Sequence, residues 1–470
     1  MSVVPPIIGG VGLCRAGCRP LTVEAGGRHE ARLRSSHGER GFALIVTLWV
    51  IAVLTAVALG FADVVRMDRR RCANTVSGVQ SEQAIAAATR YIQVLLISDD
   101  WSETLPDEDS ARLEAVPVGD SLFWVLGRAV DDVEPDEPVF GLVDEASKLN
   151  LNTATTDMLL GLPGMTAEFA AAIVDWRDDD EEPSEGGAES ETYLRLDRTY
   201  ACKNADFESI EELRLVYGAS TDILYGRDRN LNGLMDAWED DESVDVLREG
   251  SLPTTPYGVL EYVTVWSCES GEQADGSAKL NINERDSSEV SKLLEEALGA
   301  EIAGRVATST GLGRTQYGSL LEFYLASGLT AEEFAEIDDA LTVNKDAATP
   351  GLVNVNTASS VVLACLPGID DEAAAKLVAY RVLNSESLNS VAWVAEALER
   401  EDALEVGPFL TTSISRVSTD LVAVGGGGRG LRRAFLVWDV SGTEATVLYR
   451  RDRTAHGWCL GQDVREELSL

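Results

Sequence analysis

Histidine is almost missing from this 470-residue chain: there are three, His29, His37 and His456, and two of them fall within the first 41 residues. So little imidazole argues against a histidine-based acid–base centre and against a His-rich zinc site. Positive charge is equally thin. Lys and Arg number 39 against 79 Asp and Glu, a formal net charge of −40, and setting aside residues 1–41 leaves 33 against 76. A field of that sign repels phosphate backbones, so no nucleic-acid partner is expected, and it favours divalent cations or basic protein surfaces. Cysteine gives no metal pattern either. Of seven, Cys14 and Cys18 lie in the first 41 residues, and the other five, Cys72, Cys202, Cys268, Cys365 and Cys459, are widely scattered. Their odd number leaves at least one unpaired, with Cys202 and Cys268 as the candidate pair in an oxidising compartment. No nucleophile and base stand together, so the chain reads as non-enzymatic. At 45% hydrophobic, it has enough apolar side chain for a substantial core in two or more lobes.

What is present begins with one uncharged run of 21 residues, Phe42 to Ala62. At about 1.5 Å per residue it spans roughly the 30 Å hydrocarbon core of a bilayer. A basic stretch (Arg28, Arg32, Arg34, Arg40) ends at Gly41, with no polar spacer before Phe42 and no small-x-small site at the far end of the run. An ordinary secretory signal is cut after its apolar region. The Gly41-Phe42 junction instead resembles a type IV prepilin, in which a prepilin peptidase cuts between glycine and phenylalanine and leaves the apolar segment on the mature protein. A plain single-span anchor is the blander reading. The peptidase-accessible leader favours a cytoplasmic N-terminus, although Arg66, Arg69, Arg70 and Arg71 weaken the charge asymmetry. Val76, Val79, Ala84, Ala87, Tyr91, Val94 and Leu95 continue a helical spacing to about Ile97.

The chain also repeats itself. Leu149-Asn-Leu-Asn-Thr-Ala154, Leu162-Pro-Gly164 and Arg177 recur at a constant offset of 204 as Val353-Asn-Val-Asn-Thr-Ala358, Leu366-Pro-Gly368 and Arg381. Each copy predicts a short extended segment, an Asn or Thr helix cap, a helix, a Pro-Gly turn and a second helix, a helix-hairpin-helix unit. Lys279-Leu-Asn-Ile-Asn283 repeats only the opening and reads as a degenerate third copy. Such hairpins often hold DNA phosphates on backbone N–H groups. Here Leu366-Pro-Gly368 runs into Asp370, Asp371 and Glu372, and the other copy leads to Asp178-Asp-Asp-Glu-Glu182. That charge favours a packing role over DNA contact.

Asp228-Arg-Asn-Leu-Asn-Gly-Leu-Met-Asp-Ala-Trp-Glu239 matches the twelve-residue calcium-loop pattern. Calcium takes six to eight oxygens, so Asp228, Asn230, Asn232, Asp236 and Glu239 are candidate ligands through their side chains and Leu234 through its carbonyl, with Gly233 at the sharp turn. The expected role is structural. A solvated acidic turn continuing into Asp240, Asp241 and Glu242 is the alternative. The Pro- and Gly-containing run from Asp178 to Glu191 reads as an irregular loop that could also carry metal ligands.

Together with Lys148-Leu-Asn-Leu-Asn-Thr-Ala154, the stretches Ile173-Val-Asp-Trp-Arg-Asp-Asp-Asp180, Gly187-Ala-Glu189 with Tyr193 and Tyr200, and Ile210-Glu-Glu-Leu-Arg-Leu-Val216 resemble the K-type minor pseudopilins of type II secretion systems. The resemblance implies an α+β fold: a long N-terminal transmembrane helix and a pilin-like α/β head interrupted by a large helical insertion. It divides the chain into a leader over 1–41, a helix over 42–98 with its membrane span at 42–62, and a first part of the head over 99–147. A helical insertion follows over 148–410, with helix-hairpin-helix units at 148–177 and 352–381 and the calcium-type loop at 228–239, and closing strands over 411–470. Strands are expected at Ser121 to Val130, Val139 to Val143, Ile414 to Val424, Ala434 to Val440 and Ala445 to Arg450. The resemblance also implies calcium in the insertion, an inner-membrane, single-pass chain with a periplasmic head, and partners in the I- and J-type minor pseudopilins, the major pseudopilin and the prepilin peptidase. Most pilin-like subunits carry a glutamate at the fifth mature position to pair with a neighbour's terminal amine. Val46 stands there in this chain, which suits a subunit capping the tip. The competing expectation is a minor pilin of a type IV pilus or competence machine whose hairpins contact DNA.

Overall fold

The computed structural model describes residues 37–97, 105–106, 111–129, 137–236, 238–239, 256–273, 276–345 and 347–468. Residues 1–36 of the leader, with Cys14, Cys18 and His29, lie outside them, as do Asp240, Asp241 and Glu242. The chain divides into two compact units at Arg70/Arg71.

Helix α1, His37–Ile97, opens the described chain. In the first unit its side chains from Phe42 to Val64 are all exposed, including Phe42 (71%) and Trp49 (70%). By length and composition this helix can cross a membrane once. In the second unit the same helix turns amphipathic: Ala84, Ile85, Ala88, Ile92 and Leu96 are buried at intervals of one, three and four, the spacing of a single packed face.

That face packs on a six-stranded sheet made of β1 (Val116–Val118), β2 (Ser121–Leu126), β3 (Val143–Asp144), β4 (Arg416–Gly425), β5 (Arg429–Asp439) and β6 (Thr446–Asp452). The strand order is β1-β2-β4-β5-β6, all antiparallel, with β3 also on β4. Alternation along β5 sends Ala434, Leu436 and Trp438 into the core shared with α1 and Phe435 and Val437 into the core of the insertion. The sheet is therefore covered on both faces. All five expected strands differ at their ends, two of them by only one or two residues (β4 and β6). The one beginning at Ser121 stops at Leu126, Val139–Val143 contributes only a bridge from Phe140 to Leu126 and the two-residue β3, and β5 starts five residues early, at Arg429.

Between β3 and β4 the chain forms short helices around one continuous core that includes Leu149, Phe169, Trp176, Leu294, Phe323, Phe334, Val353, Leu377 and Trp393. Three modules recur within it. Each opens with a two-residue strand paired in parallel to a later one: Leu149–Asn150 to Val263–Thr264, Leu280–Asn281 to Leu341–Thr342, and Val353–Asn354 to Leu410–Thr411. Two helices follow in each, α2 (Thr156–Leu160) and α3 (Ala167–Arg177), α4 (Ser288–Leu298) and α5 (Ala300–Thr310), and α6 (Ser360–Leu363) and α7 (Asp371–Leu383). Gly164 (φ +70°) and Gly368 (φ +78°) make the turns in the first and third, a conformation that disfavours any residue with a Cβ.

The repeated Asn residues do not cap the helices. Thr155 and Ser359 do that, accepting from the Met158 and Val362 amides at 3.3 Å. The first Asn of each pair instead folds its side chain onto the backbone two residues on, with Asn152, Asn283 and Asn356 amides donating to Asn150, Asn281 and Asn354 Oδ1 at 2.8–2.9 Å. The second Asn reaches a distant loop. Asn152 bonds both the Phe207 amide and carbonyl, Asn283 does the same with Tyr317, and Asn356 donates to the Leu388 carbonyl. The fragment at 279–283 is thus a structural copy of the other two openings.

Candidate metal centre

The end of α3 and the loop after it gather the strongest candidate. Asp175, Asp178 and Glu189 place carboxylate oxygens within 4.8 Å of one another, the only such group of three found among the described residues. Asp175 is fully buried and its Oδ2 accepts from the Ala188 amide at 2.8 Å and the Ser184 amide at 3.1 Å, so the acidic loop wraps around this carboxylate. Gly187 is required for the close approach: a Cβ there would fall 1.9 Å from Asp175 Oδ2. Beneath the loop Trp176 packs edge-on to Tyr193 at 5.2 Å, and Tyr193 Oη accepts from the Tyr217 amide at 3.1 Å.

The polar atoms here are under-used. Both carboxylate oxygens of Glu189, Oδ1 of Asp178 and Oδ1 of Asn204 are buried without a hydrogen-bond partner. Buried oxygens left bare are costly unless a cation meets them. Burial, and then the charges of Asp178 and Asp175, push the Glu189 carboxyl up to about 7; burial, Asp180 and Asp175 raise Asp178 as well. A set of oxygen donors without His or thiolate fits a hard divalent cation of the calcium kind. Asp175 was not among the sequence candidates; the available signal was its position three residues before Asp178, one helical turn below the loop.

The second candidate, Asp228 to Glu239, folds as a turn closed on itself. Asp228 accepts from the Asn232 and Gly233 amides at 3.1 and 2.8 Å, and Glu239 accepts from the Arg229, Asn230 and Asp236 amides at 2.7, 3.3 and 3.2 Å. Gly233 has φ +77°, the left-handed turn position. Burial pushes Asp228 up to about 6 despite the Arg128 charge, and burial with the Asp228 charge pushes Glu239 up to about 7. Its carboxylates are not drawn together as those of Asp175, Asp178 and Glu189 are.

The arginines of the repeat have a structural task. Arg177 donates to the Leu151 and Ala154 carbonyls, and Arg381 to the Val355 and Ala358 carbonyls, at equivalent places in the two copies. Where a DNA-binding hairpin would offer helix N-terminal amides to phosphate, Asp370 Oδ1 already accepts from the Ala373 amide at 2.8 Å and the Thr166 hydroxyl from the Phe169 amide at 3.2 Å.

All five cysteines of the described residues are free thiols, which overturns the pairing of Cys202 with Cys268. Cys202 lies in the insertion core with its Sγ donating to the Asp175 carbonyl, whereas Cys268 opens a strand paired to Ala348–Pro350. Phe42 and Val46 lie on α1 with exposed side chains; of Gly41 only the helical backbone is described.

The chain is thus a mixed helix-and-sheet protein with an N-terminal apolar helix and an acidic helical insertion. Residues 142–225 match the family model of type II secretion system protein K, first domain. A curated relative, type II secretion system protein K of Klebsiella pneumoniae, is 24% identical over 203 residues, which are 41% of this chain and 61% of that protein. Over these residues the chain is similar to type II secretion system protein K, and it spans 61% of the length of that curated relative. Among solved structures, the GspK–GspI–GspJ complex from the enterotoxigenic Escherichia coli type 2 secretion system aligns with a TM-score of 0.35 and 12% identity, covering 82% of this chain and 99% of that one.

Proposed function

We propose that this chain is a non-enzymatic subunit at the tip of a type II secretion pseudopilus, nucleating the filament with I- and J-type minor pseudopilins above a shaft of the major pseudopilin. A prepilin peptidase would cut between Gly41 and Phe42. The head would lie in the periplasm, with α1 crossing the inner membrane and the helical insertion between β3 and β4 projecting from a pilin-like sheet. The observation that carries the tip assignment is Val46. In an apolar helix bundle, a subunit with another stacked above it needs an acidic side chain to offset the neighbour's terminal amine. Valine offers none, so a subunit with Val46 is suited to having nothing above it.

Asp175, Asp178 and Glu189, with Asn204 beside them, would hold calcium as a structural cation. Bound there it supplies positive charge to three carboxylates that otherwise repel. Asp175 orients the loop through its amide bonds, and Gly187 leaves room for the backbone. The helix-hairpin-helix units, in this reading, are internal clamps and not DNA contacts, consistent with Asp370 and Thr166 occupying the helix N-termini.

The test is location. Antibody or gold label on this subunit should mark one end of overproduced pseudopili, and its deletion should stop secretion through the pathway. Label distributed along the shaft, or normal secretion in the deletion strain, sinks the proposal.

A further inference from the structure

This acidic chain sets three consecutive arginines, Arg69 to Arg71, just beyond its apolar run, with Arg66 before them. Between Ala62 and Arg71 the only acids are Asp63 and Asp68, so the neck is net positive. Residues 72–470 then carry 29 Lys and Arg against 74 Asp and Glu, and the sign of the charge reverses at once.

The helix gathers three of these arginines on one side. At about 100° per residue, Arg66, Arg69 and Arg70 share a face roughly 100° wide, with Asp68 on the opposite side and Arg71 off the face. All three are exposed. Arg66 meets Asp63 at 3.6 Å with both side chains in the open (69% and 74% exposed), an ion pair that contributes little. Among the described residues the Arg69 and Arg70 guanidinium groups form no ion pair. At about 1.5 Å per residue, Arg66 lies roughly 6 Å beyond Ala62 and Arg70 roughly 12 Å. The polar layer of a bilayer is about 5–8 Å thick on each side. Helical side chains lean toward the helix N-terminus, here back toward the bilayer, so these three reach the depth of the lipid phosphates.

Their position is otherwise unfavourable. Arginine beyond the span works against a cytoplasmic N-terminus, and a head so acidic is repelled by an anionic leaflet. Guanidinium meeting phosphate offsets both, through paired, charge-assisted hydrogen bonds. We propose that Arg66, Arg69 and Arg70 form a headgroup collar: they hold the phosphates of anionic phospholipids around the neck and fix the depth at which α1 sits. The inference rests on α1 crossing the membrane. Withdrawal of the subunit from the bilayer must then break these contacts.

The experiment uses the full chain. Flotation with phosphatidylcholine vesicles checks the span, and a chain that stays at the bottom overturns the span and the collar with it. In dodecyl maltoside, native mass spectrometry then compares retention of added phosphatidylglycerol and phosphatidylcholine. The native chain should keep phosphatidylglycerol preferentially. Arg66→Gln, Arg69→Gln and Arg70→Gln should each cut that preference about fivefold, and the triple variant should abolish it. Lysine at all three positions should keep an intermediate preference, because it has the charge without the fork. Arg195→Gln, Arg198→Gln and Arg450→Gln together, which remove as much charge from exposed sites on the head, should leave it intact. Since every altered side chain is exposed, helix content and the melt of the head should not move. Equal retention of the two lipids by the native chain, or a triple glutamine variant that keeps its preference, overturns the proposal. A triple variant that sheds an acidic protein partner while its lipid retention stands overturns it too, and makes the collar a protein contact.

Discussion

Arg433 grips Asp420 with two hydrogen bonds of 2.8 Å, Nε to Oδ1 and Nη2 to Oδ2, and both side chains are buried in the middle of the sheet. Arg453 adds a third at 3.0 Å. Burial alone would raise the Asp420 carboxyl, but the Arg433 and Arg453 charges pull it down to about 2. A depressed carboxylate contributes stability that is full above its unfolded value, near 3.9, and fades as pH falls through about 2. Asp420→Ala would leave buried guanidinium charge unpaired and should cost about 3–5 kcal/mol in denaturant unfolding at neutral pH. A loss under 1 kcal/mol would show that water reaches the pair.

The clamps should behave alike in the two copies. Arg177→Ala and Arg381→Ala each strip charged donors from two carbonyls, so each should lower stability by about 2–3 kcal/mol. Arg381→Lys should recover only part of this, because a lysine cannot span two carbonyls with a rigid fork. Full recovery by lysine would mean that charge alone, and not the paired geometry, holds the opening segment.

The acidic centre should give the metal-free chain a particular pH dependence. Glu189 has its folded value raised to about 7. Its protonated form is favoured in the fold, so stability is highest below the unfolded value near 4.3 and declines as pH rises through about 7. Melting in EGTA should therefore fall between about pH 5 and pH 7.5, calcium should reduce the fall, and Glu189→Gln should shrink it to the part that Asp228 and Glu239 carry. An unchanged slope in that variant would assign the effect to another group.

Gly187→Ala tests the wrapping of the loop directly. Its new methyl would overlap Asp175 Oδ2. Overpacking of this kind costs about 1–3 kcal/mol, and calcium affinity at the centre should drop with it, read by calorimetry against Gly60→Ala, where open space surrounds the site.

DNA offers a further contrast. With Asp370 and Thr166 filling the helix N-termini and a net charge of −40, duplex DNA should not be retarded at physiological salt. A saturable shift would revive the hairpins as contacts.

Long-range order in this chain was legible where it was written twice. The constant offset between Asn150 and Asn354, and between Arg177 and Arg381, could only be kept by two copies of one packing unit. What each residue does was less readable: an Asn before a helix looks like a cap, and only the fold shows Thr155 and Ser359 taking that role while Asn152 and Asn356 hold distant loops. The acidic loops divided in the same way. The twelve-residue pattern at Asp228 is contiguous and therefore visible. The tighter cluster unites Asp175, on a helix, with Glu189, beyond an irregular loop, and the backbone path joining them has no periodic signature. The short β1 and the early start of β5 were hidden for a related reason, since Val116–Val118 and Arg429–Arg433 owe their pairing to neighbours and not to an alternating pattern of their own.

The position of β4 carries a further consequence. It is the central strand of the sheet, hydrogen-bonded to β2, β3 and β5, yet β2 and β3 precede the entire insertion and β4 follows it. A chain emerging N-terminus first therefore completes its insertion while the amphipathic face of α1 and the inner edge of β2 still wait for a partner. Biogenesis is timed by the last strands: the most exposed and aggregation-prone moment of this protein falls just before Arg416 appears.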